Sequence, residues 1–108
     1  MSFSDVLKEM TGKVEGAEGA VIVGMDGIIV EEFIRKPGMD LQSVGAEYGN
    51  ILKEVQNVSG SLGLGPAREV SVRTDVRDLI IRKINDDYFL VLVLSKWRNR
   101  QSHRQMFE

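Results

Sequence analysis

The spacing of apolar residues switches between a helical and a strand period three times along this chain, and the switches outline its fold. Phe3, Val6, Leu7 and Met10 recur at three- and four-residue steps, which predicts a short amphipathic helix. Ser2 or Ser4 stands where a cap is needed, and Gly12 and Gly16 mark the end. Gly19 to Gly24 and Ile28 to Ile34 are β-branched runs joined by Asp26-Gly27. Asp-Gly between apolar strands signals a hairpin, because glycine supplies the positive φ of a tight turn. Lys36-Pro37-Gly38 then breaks the chain.

A long helix is predicted from Asp40, its N-cap, to Leu62. Leu41, Val44, Tyr48, Ile51, Leu52, Val55, Val58 and Leu62 follow one another at steps of 3, 4, 3, 1, 3, 3 and 4, a single stripe at 3.6 residues per turn. Gly60, Gly63 and Gly65 loosen its end and Pro66 enforces the stop. Gly45 and Gly49 interrupt the helix at roughly 1 kcal/mol each against alanine. Such a cost is tolerable where another helix or a sheet comes close. Ser43 and Ala46 extend the small-residue surface, and Tyr48 between the glycines is the expected anchor.

Strand periodicity returns after Pro66. From Glu69 to Thr74, Val70, Val72 and Thr74 alternate with Ser71 and Arg73, the pattern of a half-buried strand. Asp75-Val76 is a turn, Arg77 to Ile84 a strand, Asn85-Asp86-Asp87 a second turn, and Tyr88 to Leu94 a last strand. Tyr88–Leu94 and Ala20–Val23 are apolar almost throughout, which implies burial on both faces. These two strands are therefore expected to be central and adjacent, with helices above and below.

Composition narrows the picture. With 108 residues, 43% of them apolar, the chain suffices for one domain with a real core, taken as residues 1–108. Cysteine is absent, which removes disulfides and thiol chemistry and fits a reducing compartment. Ser2 to Gly12 lacks an apolar signal core, and the longest apolar run, Phe89 to Leu94, is too short to span a bilayer. A cytoplasmic location is expected. The net charge of −2 argues against general nucleic-acid binding. Charge is uneven, however. Lys96, Arg98, Arg100 and Arg104 face only Glu108 in the last segment, whereas residues 1–95 hold ten Lys or Arg against fifteen Asp or Glu. That basic end is either a solubilising C-terminal helix or frayed end, or an electrostatic contact with an acidic partner or an anionic surface.

No motif points to catalysis. Gly60-Ser61-Leu62-Gly63-Leu64-Gly65 leaves a helix instead of entering one and lacks a following Gly-Lys-Ser/Thr, so it is a helix stop rather than a phosphate loop. His103 is the single histidine and cannot build a zinc site with Ser102 and Arg104. The pairs Glu31-Glu32 and Asp86-Asp87 point apart on a strand or lie in a solvated turn, not as an acid/base dyad. Arg68, Arg73, Arg77 and Arg82 admit an arginine-finger reading. Pairing with Glu69 or Asp78 is the simpler one. Trp97 is either packed at the end of the sheet or a partner contact. Cofactors and metals are expected to be absent.

The hairpin Gly19-Ala-Val-Ile-Val-Gly-Met-Asp-Gly-Ile-Ile-Val30, the helix ending in Leu62-Gly63-Leu64-Gly65, and the meander Val70–Thr74, Leu79–Ile84, Tyr88–Leu94 together resemble the roadblock/dynein light chain family over residues 3–95. The resemblance implies an α/β (α+β) fold. Its antiparallel sheet has five strands in order 2-1-5-4-3, with the long helix on one face and terminal helices on the other. It further implies a homodimer that pairs through the third strand with the long helices packed together, and a role as a platform for small Ras-like GTPases. Bacterial members similar to this chain regulate a polarity or gliding GTPase. One departure is the short, basic and poorly periodic segment from Lys96 to Glu108, where the family often has a longer amphipathic helix.

On this basis Gly45, Tyr48, Gly49, Leu52, Val70, Ser71 and Val72 are expected at the dimer interface. Gln42, Ala46, Glu47, Asn50, Lys53, Glu54 and Asn57, the polar side of the long helix, are expected to meet the GTPase. The expected function is a non-enzymatic homodimeric scaffold that binds and regulates a small Ras-like GTPase. The alternative is a small-molecule-sensing domain of PAS or profilin-like build, which would need a cavity with convergent polar groups.

Overall fold

The computed structural model describes residues 2–96. It contains helix α1 (Phe3–Lys13), strands β1 (Ala17–Gly24) and β2 (Ile29–Ile34), helix α2 (Leu41–Ser61), and strands β3 (Glu69–Arg73), β4 (Arg77–Lys83) and β5 (Tyr88–Ser95). All neighbouring strands are antiparallel, in the order β2-β1-β5-β4-β3. This is the sheet order that the resemblance implied. The expected C-terminal helix, Trp97, His103 and the basic segment after Lys96 lie outside the described residues.

Local chemistry sets the boundaries. Ser2 caps α1 in a reciprocal box with Asp5. Gly12 lies within α1, which ends instead at the extended Val14, and Gly16 turns the chain at φ 80°. Asp40 caps α2 by accepting from the Ser43 amide and hydroxyl at 3.2 and 2.7 Å. These bonds, led by the hydroxyl, hold the Asp40 carboxyl below its ordinary pKa. In the first hairpin Gly27 takes φ 90°, and the Asp26 carboxylate accepts from the Ile28 amide at 3.0 Å. Asn85 closes the last hairpin in the same manner, accepting from the amides of Asp87 and Tyr88.

The sheet has two buried faces because β1 and β5 sit in the middle. Val21, Val23, Leu79, Ile81, Phe89, Val91 and Val93 point towards α2, where Leu41 and Leu52 complete the core. Ala20, Ile22, Leu90, Leu92 and Leu94 form the opposite layer, against Leu7 of α1. Leu7 is fully buried, worth about 1.5–3 kcal/mol of transfer free energy. Phe3 adds an edge-on contact with Tyr88 at 5.1 Å. Thr11, also buried, satisfies its hydroxyl by donating to the Leu7 carbonyl at 2.7 Å.

The second strand carries an irregularity in its pairing with β1. Val23 pairs with Ile29 but Ile22 pairs with Glu31, so Val30 is left over as a bulge. Ile29 therefore joins the α2 side while Phe33 joins the α1 side. Ile28, expected to open the strand, is instead 65% exposed in the turn.

Candidate functional site

Two surfaces among the described residues are taken as candidates: the edge of β3, one of the sheet's two free edges, and the outer face of α2. The β3 edge can be read from its hydrogen bonds. The Thr74 amide donates to the Arg77 carbonyl, and the Lys83 amide donates to the Arg68 carbonyl. Antiparallel pairs alternate between bonded and non-bonded positions. With Val70 opposite Ile81 and Val72 opposite Leu79, residues 68, 70, 72 and 74 therefore bond inward to β4. The amides and carbonyls of Glu69, Ser71 and Arg73 point outward. Val70 and Val72 tuck their side chains against the α2 core, half-buried, while Ser71 is exposed.

The long helix divides differently from the expected assignment. Gly45, Gly49 and Leu52 lie beneath α2 against the chain's own sheet. A Cβ on Gly49 would stand 2.3 Å from Phe89 Cζ, and one on Gly45 would stand 2.9 Å from Val23 Cγ2. The glycines thus serve a close helix–sheet approach. Expected at the dimer interface, these three residues are buried in the chain's own helix–sheet core. Tyr48 is half-buried at the margin of that core.

Gln42, Ala46, Glu47, Asn50, Glu54 and Asn57 are all exposed, and Lys53 is half-buried. They do not form a purely polar platform. Glu47, Asn50 and Glu54 instead lie beside Tyr48, Ile51, Val55 and Val58 on one open face of the helix. Ile51 is 41% exposed and Val58 58%, although the apolar stripe assigned both to the core. The missed signal is the wide stripe itself. Eight apolar positions exceed what one sheet face can cover, and its outer margin spaces Tyr48, Ile51, Val55, Val58 and Leu62 by 3, 4, 3 and 4.

Arg77 and Arg82 are held structurally. Arg82 Nε donates to Glu69 Oε1 across the β3–β4 pair at 2.7 Å. Arg77 Nε donates to Glu18 Oε1 at 2.6 Å, and Glu18 also meets Lys36. Asp78 lies opposite Arg73 in the ladder.

A family model, the Roadblock/LC7 domain, matches residues 3–94. Among solved structures, the Roadblock/LC7 domain from Streptomyces avermitilis superposes with a TM-score of 0.77 at 15% identity, over 90% of this chain and 81% of that one. The gliding protein MglB from Thermus thermophilus gives 0.76 at 16% identity, over 95% and 79%. MglC from Myxococcus xanthus is 36% identical over 88% and 81% of the two chains, with a TM-score of 0.56. No curated protein sequence matches the chain.

Proposed function

The chain belongs to the Roadblock/LC7 family, and from that premise we propose that it is a non-catalytic homodimeric scaffold that binds and regulates a small Ras-like GTPase. The observation that carries the reading is the outer face of α2, where exposed polar residues border the exposed apolar side chains of Ile51 and Val58. The open β3 edge supports the dimer. Its outward amides at Glu69, Ser71 and Arg73 can pair with the same strand of a second copy across a two-fold axis, continuing the sheet. The likeness to a gliding protein, MglB from Thermus thermophilus, is in keeping with the reading. The reading includes a cytoplasmic location. No helix among the described residues is long and apolar enough to cross a membrane.

A sensor would need a chamber between helix and sheet, and that space is filled. Phe89 lies directly under Gly49, and Val21, Val23 and Ile29 lie under Gly45. The grooves at the surface do not offer the enclosure that a small ligand requires.

Calorimetry tests the proposal, using the full chain and a Ras-like GTPase encoded beside it. The GTPase is loaded with GDP or with a non-hydrolysable GTP analogue. A regulator must distinguish the switch segments that the γ-phosphate orders, so preferential binding to the GTP form is expected. Glu47→Lys with Glu54→Lys should weaken it without disturbing the fold, since both residues are exposed. Equal affinity for both forms would reduce the protein to an anchor, and binding to neither would refute the reading.

A further inference from the structure

We propose that the edge of β2 is a second site of self-association, where two copies pair antiparallel across a two-fold axis at Phe33. This contact lies outside the scaffold reading and does not depend on it, since β2 and β3 are opposite edges of the sheet. Hydrogen bonds fix which backbone groups of β2 are available. The Arg35 amide donates to the Glu18 carbonyl at 2.9 Å, and the Gly24 amide donates to the Ile28 carbonyl at 2.8 Å. Bonded and non-bonded pairs alternate. With Ile22 opposite Glu31 and Ala20 opposite Phe33, residues 31, 33 and 35 therefore bond inward to β1. The amides and carbonyls of Glu32 and Ile34 point outward. The bulge lies at the turn end of the strand, before Glu31, and leaves this part of the edge regular. Side chains sort in the same way, because cross-strand partners share a face. Glu31 and Phe33 lie on the α1 side, in one row with Arg35, while Glu32 and Ile34 lie on the α2 side. Ile34 is 41% exposed there.

The order of charges along the edge identifies its occupant. Residues 31–36 read Glu-Glu-Phe-Ile-Arg-Lys, acidic then apolar then basic. An antiparallel copy runs the same order backwards and brings its basic end to the acidic one. With the axis at Phe33, Glu32 exchanges backbone bonds with Ile34 of the second copy, and Ile34 with its Glu32. Glu31 then stands opposite Arg35 of the second copy on both sides of the axis, with Phe33 against Phe33 between them. Among the described residues Glu31, Glu32 and Arg35 form no ion pair within the chain, so these charges are free to meet others. Charged residues on an edge ordinarily guard it against pairing. Here they forbid only the registers that match like with like, such as an axis at Glu32, which sets carboxylate on carboxylate. The glutamates thus select a register. A copy joined through β2 leaves β3 open to another, so copies can add end to end and continue one sheet.

Light scattering on the full chain, from micromolar to millimolar concentration, tests the contact. The parent should grow past the dimer as concentration rises. Glu31→Arg alone sets the new arginine opposite Arg35 of the second copy, and Arg35→Glu alone sets the new glutamate opposite its Glu31. Each variant should therefore lose the growth while circular dichroism stays native. An equimolar mixture of the two should regain it, because each supplies the charge that the other lacks, which misfolded chains could not do. Ser71→Pro acts on the β3 edge alone, so its chains should still pair once, through β2, and should lose that pairing when Glu31→Arg is added. A parent that never exceeds the dimer overturns the proposal. So does growth that either charge variant leaves intact, or a mixture that fails to regain it. Each of these results can arise with the β3 dimer and GTPase binding unharmed, so failure here is separable from failure of the scaffold reading.

Discussion

Replacing Gly49 with alanine should destabilise the protein, although the same change ordinarily stabilises a helix. Alanine in a helix interior gains roughly 1 kcal/mol over glycine. At position 49 the added methyl would lie 2.3 Å from Phe89 Cζ and 3.0 Å from Cε2, well inside van der Waals contact. Phe89 cannot swing aside. It is 1% exposed and sits among Val91, Ile81 and Leu52. Forcing a methylene-sized group into a packed core costs about 1–3 kcal/mol. The overpacking therefore exceeds the propensity gain, for a net loss of about 1 kcal/mol. Gly60 supplies the internal control, because it lies in the same helix with nothing within 4 Å of its would-be Cβ. Gly60→Ala should stabilise by roughly 0.4–1 kcal/mol. At about 4–8 °C per kcal/mol for a domain near this size, thermal melts should move in opposite directions, down for position 49 and up for position 60. A double-mutant cycle with Phe89→Leu then isolates the clash. The smaller side chain should relieve the Gly49→Ala penalty, with a coupling of roughly 0.5–3 kcal/mol. A rise in melting temperature for Gly49→Ala, or zero coupling with Phe89→Leu, would refute the close-approach argument.

Further expectations follow from the same structure. Ser71→Pro removes an amide that faces the open edge and breaks no bond to β4, so light scattering at tens of micromolar should find more monomer with an unchanged fold. Val72→Pro, whose amide bonds inward, should unfold the strand instead. Because Asp40 has a depressed folded pKa, its cap contributes above the ordinary carboxylate pKa and is lost as pH falls through the folded value. Melting temperatures between pH 6 and 3 should therefore drop more steeply in the parent than in Asp40→Asn, which caps without titrating. Glu18→Ala frees Arg77 and Lys36 at the rim of the sheet, and chemical denaturation should register a loss of roughly 1 kcal/mol.

Much of the fold was legible because the core imposes its periods directly on the chain. The apolar runs of β1 and β5 could only be central, and the structure pairs them along their whole length, Val21 with Val91 and Ile22 with Leu90. Asp40 and Leu62 bound α2 as cap residues because a helix end needs a side-chain acceptor or a stop. The β2 bulge was not legible. Ile28 to Ile34 offers several equally apolar registers, and the choice falls to the turn, where the Asp26 carboxylate holds the Ile28 amide and forces Val30 out of pairing.

The outer face of α2 was harder to read, for a physical reason. Burial selects apolar residues strongly, so an apolar stripe is naturally taken as core, yet a helix lying on a sheet can bury only the part of its circumference that the sheet reaches. Gly45 and Gly49 mark where that part is, since their missing side chains let α2 settle onto Val23 and Phe89. Lowering the helix there fixes its rotation. Once rotation is fixed, Ile51 and Val58 must face outward, however apolar they are. Gly45 and Gly49, expected at the dimer interface, thus set the rotation of α2 on its own sheet and with it the exposure of Ile51 and Val58 beside Glu47 and Glu54.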